Sequence, residues 1–182
     1  MNDTRERDMN KLIRNLTLIA SAALIVRHFV QPTRVSGNSM FPELHNDDRL
    51  LIDKTAYERK DPEPGDVVVF EEPNTGRMMI KRVIGVPGDH IVIRNGVVKI
   101  NGAVGNDDYT ADGATDGNVD MIIPEDRYFV LGDNRLHSKD SRAAMVGCVP
   151  KKSIMGKVSI RIFPPGRVFS RDVIAKEALE EE

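Results

Sequence analysis

Three stretches of this 182-residue chain carry side chains able to do chemistry. Ser39 stands in Ser36-Gly37-Asn38-Ser39-Met40-Phe41-Pro42, and Lys81 in Met78-Met79-Ile80-Lys81-Arg82-Val83-Ile84. The third is Gly132-Asp133-Asn134-Arg135-Leu136-His137-Ser138-Lys139-Asp140-Ser141-Arg142, dense in ionisable groups directly after the apolar run Tyr128-Phe129-Val130-Leu131. A serine hydroxyl is a weak nucleophile unless a base takes its proton during attack, and lysine is such a base only when neutral. Desolvation disfavours the ammonium form, so a lysine in an apolar setting without a carboxylate beside it loses its proton near neutral pH.

On a strand, Lys81 shares a face with Met79 and Val83, while Arg82 joins Ile80 and Ile84 on the other. Arg82 has apolar neighbours too, but its guanidinium stays protonated and cannot act as a base. Elsewhere a lone strand lysine is a snorkelling edge residue, and Ser, Gly and Asn before a proline are ordinary loop residues. Here Gly37 permits a backbone geometry that exposes the residues after it, Pro42 stiffens the exit, and apolar Met40 and Phe41 border the serine. In the third stretch, Asp140 and Arg142 can pair to hold the loop, and Asp133 and Asn134 can bond its backbone. Ser138 or Ser141 can reach a lysine amine. The competing arrangement is a Ser-His-Asp triad of Ser39, His137 and Asp133 or Asp140. It leaves the apolar setting of Lys81 without a purpose.

The elements that must position these groups read as short strands: 49–53, 66–70, 78–85, 90–94, 97–100, 128–132 and 158–163. They are rich in Val, Ile and Phe and separated by Pro, Gly and Asp clusters, which predicts an all-β domain built on an antiparallel, barrel-like sheet. Asn95-Gly96 between two apolar runs is the strongest short-range hairpin signal. Residues 103–120 turn polar and read as a flexible loop. Residues 171–182 read as an acidic carboxy-terminal tail, leaving 31–170 as one β-rich domain.

An apolar run, Leu12 to Val30, precedes that domain. Its 19 residues would span about 28 Å as a helix, close to a bilayer's hydrocarbon thickness. Arginines at 14 and 27 would snorkel to the interfaces. A cleaved secretory signal is the rival reading, but Ala20-Ser21-Ala22 falls inside the apolar run instead of after it. A buried or surface helix is the third reading. Four basic residues, Arg5, Arg7, Lys11 and Arg14, flank the amino side and two, Arg34 and Arg49, lie beyond the run. This bias predicts residues 1–11 in the cytoplasm, residues 12–30 as the anchor and the β-domain on the outer face. The run ends nine residues before Ser39, at most about 30 Å of extended chain, so the hydroxyl must act near the bilayer.

Composition narrows the rest. A formal net charge of −2 with no dominant basic run gives no reason to expect a nucleic-acid partner. The single cysteine, Cys148, cannot form an internal disulfide, and the four histidines show no zinc-site spacing.

Taken in order, Ser-Gly-Asn-Ser-Met-Phe-Pro-Glu-Leu from Ser36, Asp-Arg-Leu-Leu-Ile-Asp-Lys from Asp48, Lys-Arg-Val-Ile-Gly-Val-Pro-Gly-Asp from Lys81 and the third stretch from Gly132 form a specific set. It resembles the type I signal peptidases, membrane-bound bacterial serine proteases that remove signal peptides from exported proteins. The resemblance runs from about Asn10 to Phe163. It implies Ser39 as nucleophile, Lys81 as general base, Ser138 as the residue that orients Lys81, and Asp140 with Arg142 as a brace. The Ser39 N–H would serve an oxyanion hole, and Gly37 stands where some members place a serine as second donor. Glu43 stands where the family usually has Thr, a departure that bears on substrate fit. Small residues at the first and third positions before the cut are implied, with Met40 and Ile80 as pocket walls or as core. No cofactor and no metal are expected. Partners would be signal-peptide-bearing pre-proteins, the lipid bilayer and a nearby secretion translocon.

Two other readings use the same residues. One is a related Ser-Lys peptidase dedicated to a conjugation or pilus protein. The other is a membrane-tethered β-domain that binds exported peptides without cutting them.

Overall fold

The structure, a computed structural model, describes residues 9, 11–21 and 29–174. Its strands are β1 (Val30–Arg34), β2 (Arg49–Asp53), β3 (Val67–Glu71), β4 (Met78–Gly85), β5 (His90–Arg94), β6 (Val97–Ile100), β7 (Ala103–Val104), β8 (Val119–Ile122), β9 (Arg127–Leu131), β10 (Val149–Pro150), β11 (Ile154–Phe163) and β12 (Gly166–Arg167). The larger sheet runs β1-β2-β11-β3-β4-β9-β10, with β12 also on β11, and the smaller runs β7-β6-β5-β8. Every neighbouring pair is antiparallel. The expected all-β class is therefore observed.

Burial explains the strand sequences. Val67-Val68-Val69-Phe70 is buried throughout because β3 lies between β11 and β4, with side chains packed on both faces. A strand covered on both faces reads as a continuous apolar run. In the smaller sheet Ile91, Ile93, Val98 and Ile100 are buried while their neighbours are not, the alternation of a sheet with one face on the core. Asn95 and Gly96 have φ of 52° and 84°, the pair of positive values a tight hairpin turn requires. Long β11 slips register against β2 and β3, and such bulges add twist.

One apolar cluster joins the two sheets. Ile91, Ile93, Val98 and Ile100 of the smaller sheet meet Ile84, Phe129 and Leu131 of the larger one, with Cys148 beside them. A second cluster, Val35, Met40, Leu44, Leu50, Ile52, Val67, Val69, Val158 and Val168, seats the loop that carries Ser39. Cys148 is free and buried, as a small apolar residue would be.

The described residues bear on three of the expected boundaries. Val30 does not end an apolar span: it begins β1 and pairs with Asp53. Residues 11–21 are helical and exposed, the rest of the expected span up to residue 28 lies outside the described residues, and no helix among those described is long and apolar enough to cross a membrane. Residues 103–120 are not a free loop, because Tyr109 and Thr115 are buried and both ends enter strands. Nor does the tail begin at 171: Val173 is buried and Gly105 bridges to Ile174. The acidic residues 175–182 lie outside the described residues.

Because Phe129 is fully buried where the two sheets meet, Phe129→Ala should cost about 3–5 kcal/mol of unfolding free energy. Urea unfolding followed by circular dichroism measures it. An unshifted midpoint would show that the junction adds little.

Candidate active site

The loop from Val35 to Asp48 is closed at its base, where Val35 N–H donates to Asp48 O at 2.8 Å and Asp47 N–H to Val35 O at 3.0 Å. Within it Gly37 takes a φ of 92°, and its N–H donates to Asn46 Oδ1 at 2.8 Å. Phe41 N–H donates to Asn38 O and Leu44 N–H to Met40 O, folding the chain tightly around Ser39. Met40 anchors this turn from below, only 2% exposed. From the other side Asn134 clamps it: its backbone N–H donates to Ser39 O and its side-chain amide to Asn38 O, each at 3.1 Å. Gly132 passes so near that a Cβ there would collide with both Ser39 O and Ser138 Oγ.

Central strand β4 delivers Lys81 to this loop. The lysine is 3% exposed, and its Nζ lies 2.6 Å from Ser39 Oγ and 2.8 Å from the Ile80 carbonyl. Both acceptors are uncharged. Burial pulls the Lys81 ammonium down to about 8, against the opposing pull of Asp140 and Asp133, whose negative charges favour the proton. Each of those carboxylates has an arginine of its own. Asp140 is fully buried and receives Arg142 Nε at 2.8 Å, Arg142 Nη2 at 2.9 Å and the Gly132 N–H at 3.0 Å. Asp133 receives Arg82 Nε at 2.9 Å and Nη2 at 2.6 Å. Lysine is thereby left without a direct counter-ion, and its amine stays easy to deprotonate.

Arg82, excluded as a base by its chemistry, is a structural pivot. It is fully buried on the opposite strand face from Lys81, and its Nη1 donates to the carbonyls of Gly65 and Phe169, each at 2.8 Å. Tyr109 stacks under it at 4.9 Å. Arg135 plays a parallel part, holding Gly132 O, Asp107, Thr115 and Tyr109, and so fastens the 103–120 segment over the strand end. The sequence signal for these roles is the arginine next to the lysine together with an acid directly after an apolar strand. It names both partners without pairing them.

The sequence-predicted residues meet, though one of them does not make the contact expected of it. Ser39, Lys81, Asp140 and Arg142 converge, and Arg142 also donates to the carbonyls of Arg135 and Ser138. Met40 and Ile80 line the groove beside the serine and also pack in the core, so wall and core are both apt descriptions of them. Ser138, expected to orient Lys81, does not bond it: its buried Oγ has no hydrogen-bond partner among the described residues. Glu43, expected to bear on substrate fit, points away from the groove. Its carboxylate takes Arg171 Nη2 at 2.9 Å and the Phe169 N–H at 3.1 Å. The alternative triad is not assembled either, since Asp133 and Asp140 are taken by arginines and His137 is exposed.

Comparison with known proteins gives the class: the chain is a peptidase, a hydrolase. A family model described as "Signal peptidase, peptidase S26" matches residues 9–163, and the chain belongs to that family. It is 37% identical over 166 residues to a probable signal peptidase I-2 of Synechocystis sp., covering 87% of this chain and 75% of that one. It is 35% identical over 170 residues to signal peptidase I U of Bacillus subtilis, covering 87% and 90%. A crystal structure of a signal peptidase I from Enterococcus faecalis V583 is 34% identical, with a TM-score of 0.46, covering 54% of this chain and 97% of that chain.

Removing Asp133 would leave buried Arg82 without its bidentate partner and with only the Glu43 carboxylate, 3.9 Å away, to offset its charge, so Asp133→Ala should cost about 3–5 kcal/mol. Ser138→Ala removes a hydroxyl that has no partner among the described residues and should hold or raise stability. Thermal unfolding of the two variants side by side tests this contrast.

Proposed function

We propose that this chain removes signal peptides from exported pre-proteins, with Ser39 as nucleophile and Lys81 as general base. The observation that carries the reading is the 2.6 Å contact between Lys81 Nζ and Ser39 Oγ, made by a buried amine whose proton affinity is lowered to about 8. In the reacting state the neutral amine accepts the hydroxyl proton as Oγ attacks the scissile carbonyl. The resulting ammonium then gives that proton to the leaving amine, and water, activated by the same lysine, hydrolyses the acyl-enzyme. The Ser39 N–H, at the start of the tight turn, is suited to receive the developing oxyanion. Asp140 with Arg142 braces the loop behind this pair. Met40 and Ile80 wall the part of the groove that takes small residues at the first and third positions before the cut.

In the same reading, the apolar residues before β1 hold the chain at a bilayer, with the amino terminus cytoplasmic and the β-domain outside, near a translocon. The names of the relatives, signal peptidase I in each case, support the substrate class.

Ser39→Ala and Lys81→Ala should each lower pre-protein cleavage in detergent by about four to six orders of magnitude, with unchanged circular dichroism. Full activity of the lysine variant would sink the dyad. For the wild type, kcat/KM should climb with pH and level off above a midpoint near 8, the value set by burial of Lys81.

Stability carries the matching signature. Between a folded value of about 8 and the ordinary 10.5 the unfolded chain binds more protons at this site, so stability rises with pH across that window. Below it, the buried ammonium costs on the order of 3 kcal/mol. Lys81→Met should therefore be more stable than wild type at pH 7, with the gap closing as pH approaches 10.5. Urea titrations of both proteins at several pH values measure that gap.

A further inference from the structure

Among the described residues, the groove that leads to Ser39 is lined by basic side chains and by no acid. Val35, Met40, Val69, Met78, Met79 and Ile80 form its apolar part, and its ionisable residues are Arg34, Lys81, His137 and Lys139. The chain as a whole has 28 acidic and 26 basic residues, so this is a local arrangement and not a consequence of composition. Two of the four are otherwise engaged: Arg34 pairs with Asp47 at 2.8 Å, and Lys81 is buried against Ser39. His137 and Lys139 are exposed, and their side chains have no acidic partner among the described residues. Their backbone is held firmly, since His137 N–H donates to Asn134 O and Arg142 donates to Ser138 O between them.

Given cleavage at Ser39, on which this inference rests, the apolar part of the groove suits the small residues before the cut. The wall formed by His137 and Lys139 is then left for the residues on the far side of the scissile bond. We propose that Lys139, with His137 beside it, selects substrates that carry Asp or Glu within the first three positions after the scissile bond. The contact is solvent-exposed, so its strength is that of a surface ion pair, an effect of about two- to fivefold. Salt weakens it, because the screening length falls from about 10 Å at 0.1 M to about 3 Å at 1 M.

The experiment uses the full chain in uncharged detergent with matched peptides carrying Asp, Asn or Lys at the second position after the cut. The readout is the ratio of kcat/KM between peptides within one enzyme, from which any loss of folded protein cancels. Wild type should prefer Asp over Asn by about two- to fivefold at low salt, and the ratio should approach one in 1 M salt. Lys139→Gln should bring it near one, and Lys139→Glu should invert it so that the Lys peptide leads. A ratio unmoved by Lys139→Glu overturns the proposal. So does an acidic preference confined to positions before the cut, or a Lys139 effect that appears only on vesicles of anionic phospholipid. If wild type cuts none of the peptides, the cleavage reading itself fails. Fluorescence anisotropy of the same peptides on Ser39→Ala then still reads the preference, and equal binding of Asp and Lys peptides overturns it.

Discussion

A lysine amine inside a protein holds or loses its proton according to the charges beside it, and two carboxylates lie close to Lys81. Left less well paired, either one would favour the ammonium more strongly through its charge. Both are instead saturated by guanidinium groups, Asp140 by Arg142 and Asp133 by Arg82. Arginine is suited to this work because it stays charged when buried and its planar fork fills a carboxylate with two parallel bonds. The surroundings of the site depend on that division. Gly132 must be a glycine for the strand end to pass between Ser39 and Ser138, and the same strand end supplies Asp133 and one N–H to Asp140.

The arrangement is costly to the fold. A buried ammonium, two buried ion pairs and the unpartnered polar atoms of Ser138 and Asn134 lie within one small region of the described residues. Replacing buried ion pairs of this kind by well-packed apolar residues is often neutral or stabilising. Apolar clusters on both sides offset the cost, and central strand β3, Val-Val-Val-Phe on both faces, contributes to two of them. Stability is built up in the sheets and given up where the sheets meet the Ser39 loop, a distribution common where activity needs strained or desolvated groups.

Much of this is legible in the sequence. Strands β2, β4, β5 and β6 have the bounds their residue patterns predict, because alternation and Asn-Gly turn chemistry are local signals. Ser39 and Lys81 can be matched because the apolar neighbours of each are written next to it. The features that cannot be read depend on long-range pairing. Strand β1 looks like the end of an apolar span because only its register with β2 makes Val30 a strand residue. The 103–120 segment looks free because its polar side chains bond Arg135 and its Tyr109 packs under Arg82, contacts that no spacing encodes. Glu43 reads as facing substrate, whereas its partners lie 126 and 128 positions further along the chain.

Those distant partners also set an order of events. Phe169 supplies a carbonyl to buried Arg82, Ser170 bonds Asp66, and Arg171 both lies against Gly65 and pairs with Glu43 on the loop that carries the serine. All three are made after every other residue of the site. Until residue 169 has been made, the central guanidinium lacks one of its two carbonyl acceptors. The serine loop and the central strand are thus fastened by one short segment that lies far beyond both in the sequence.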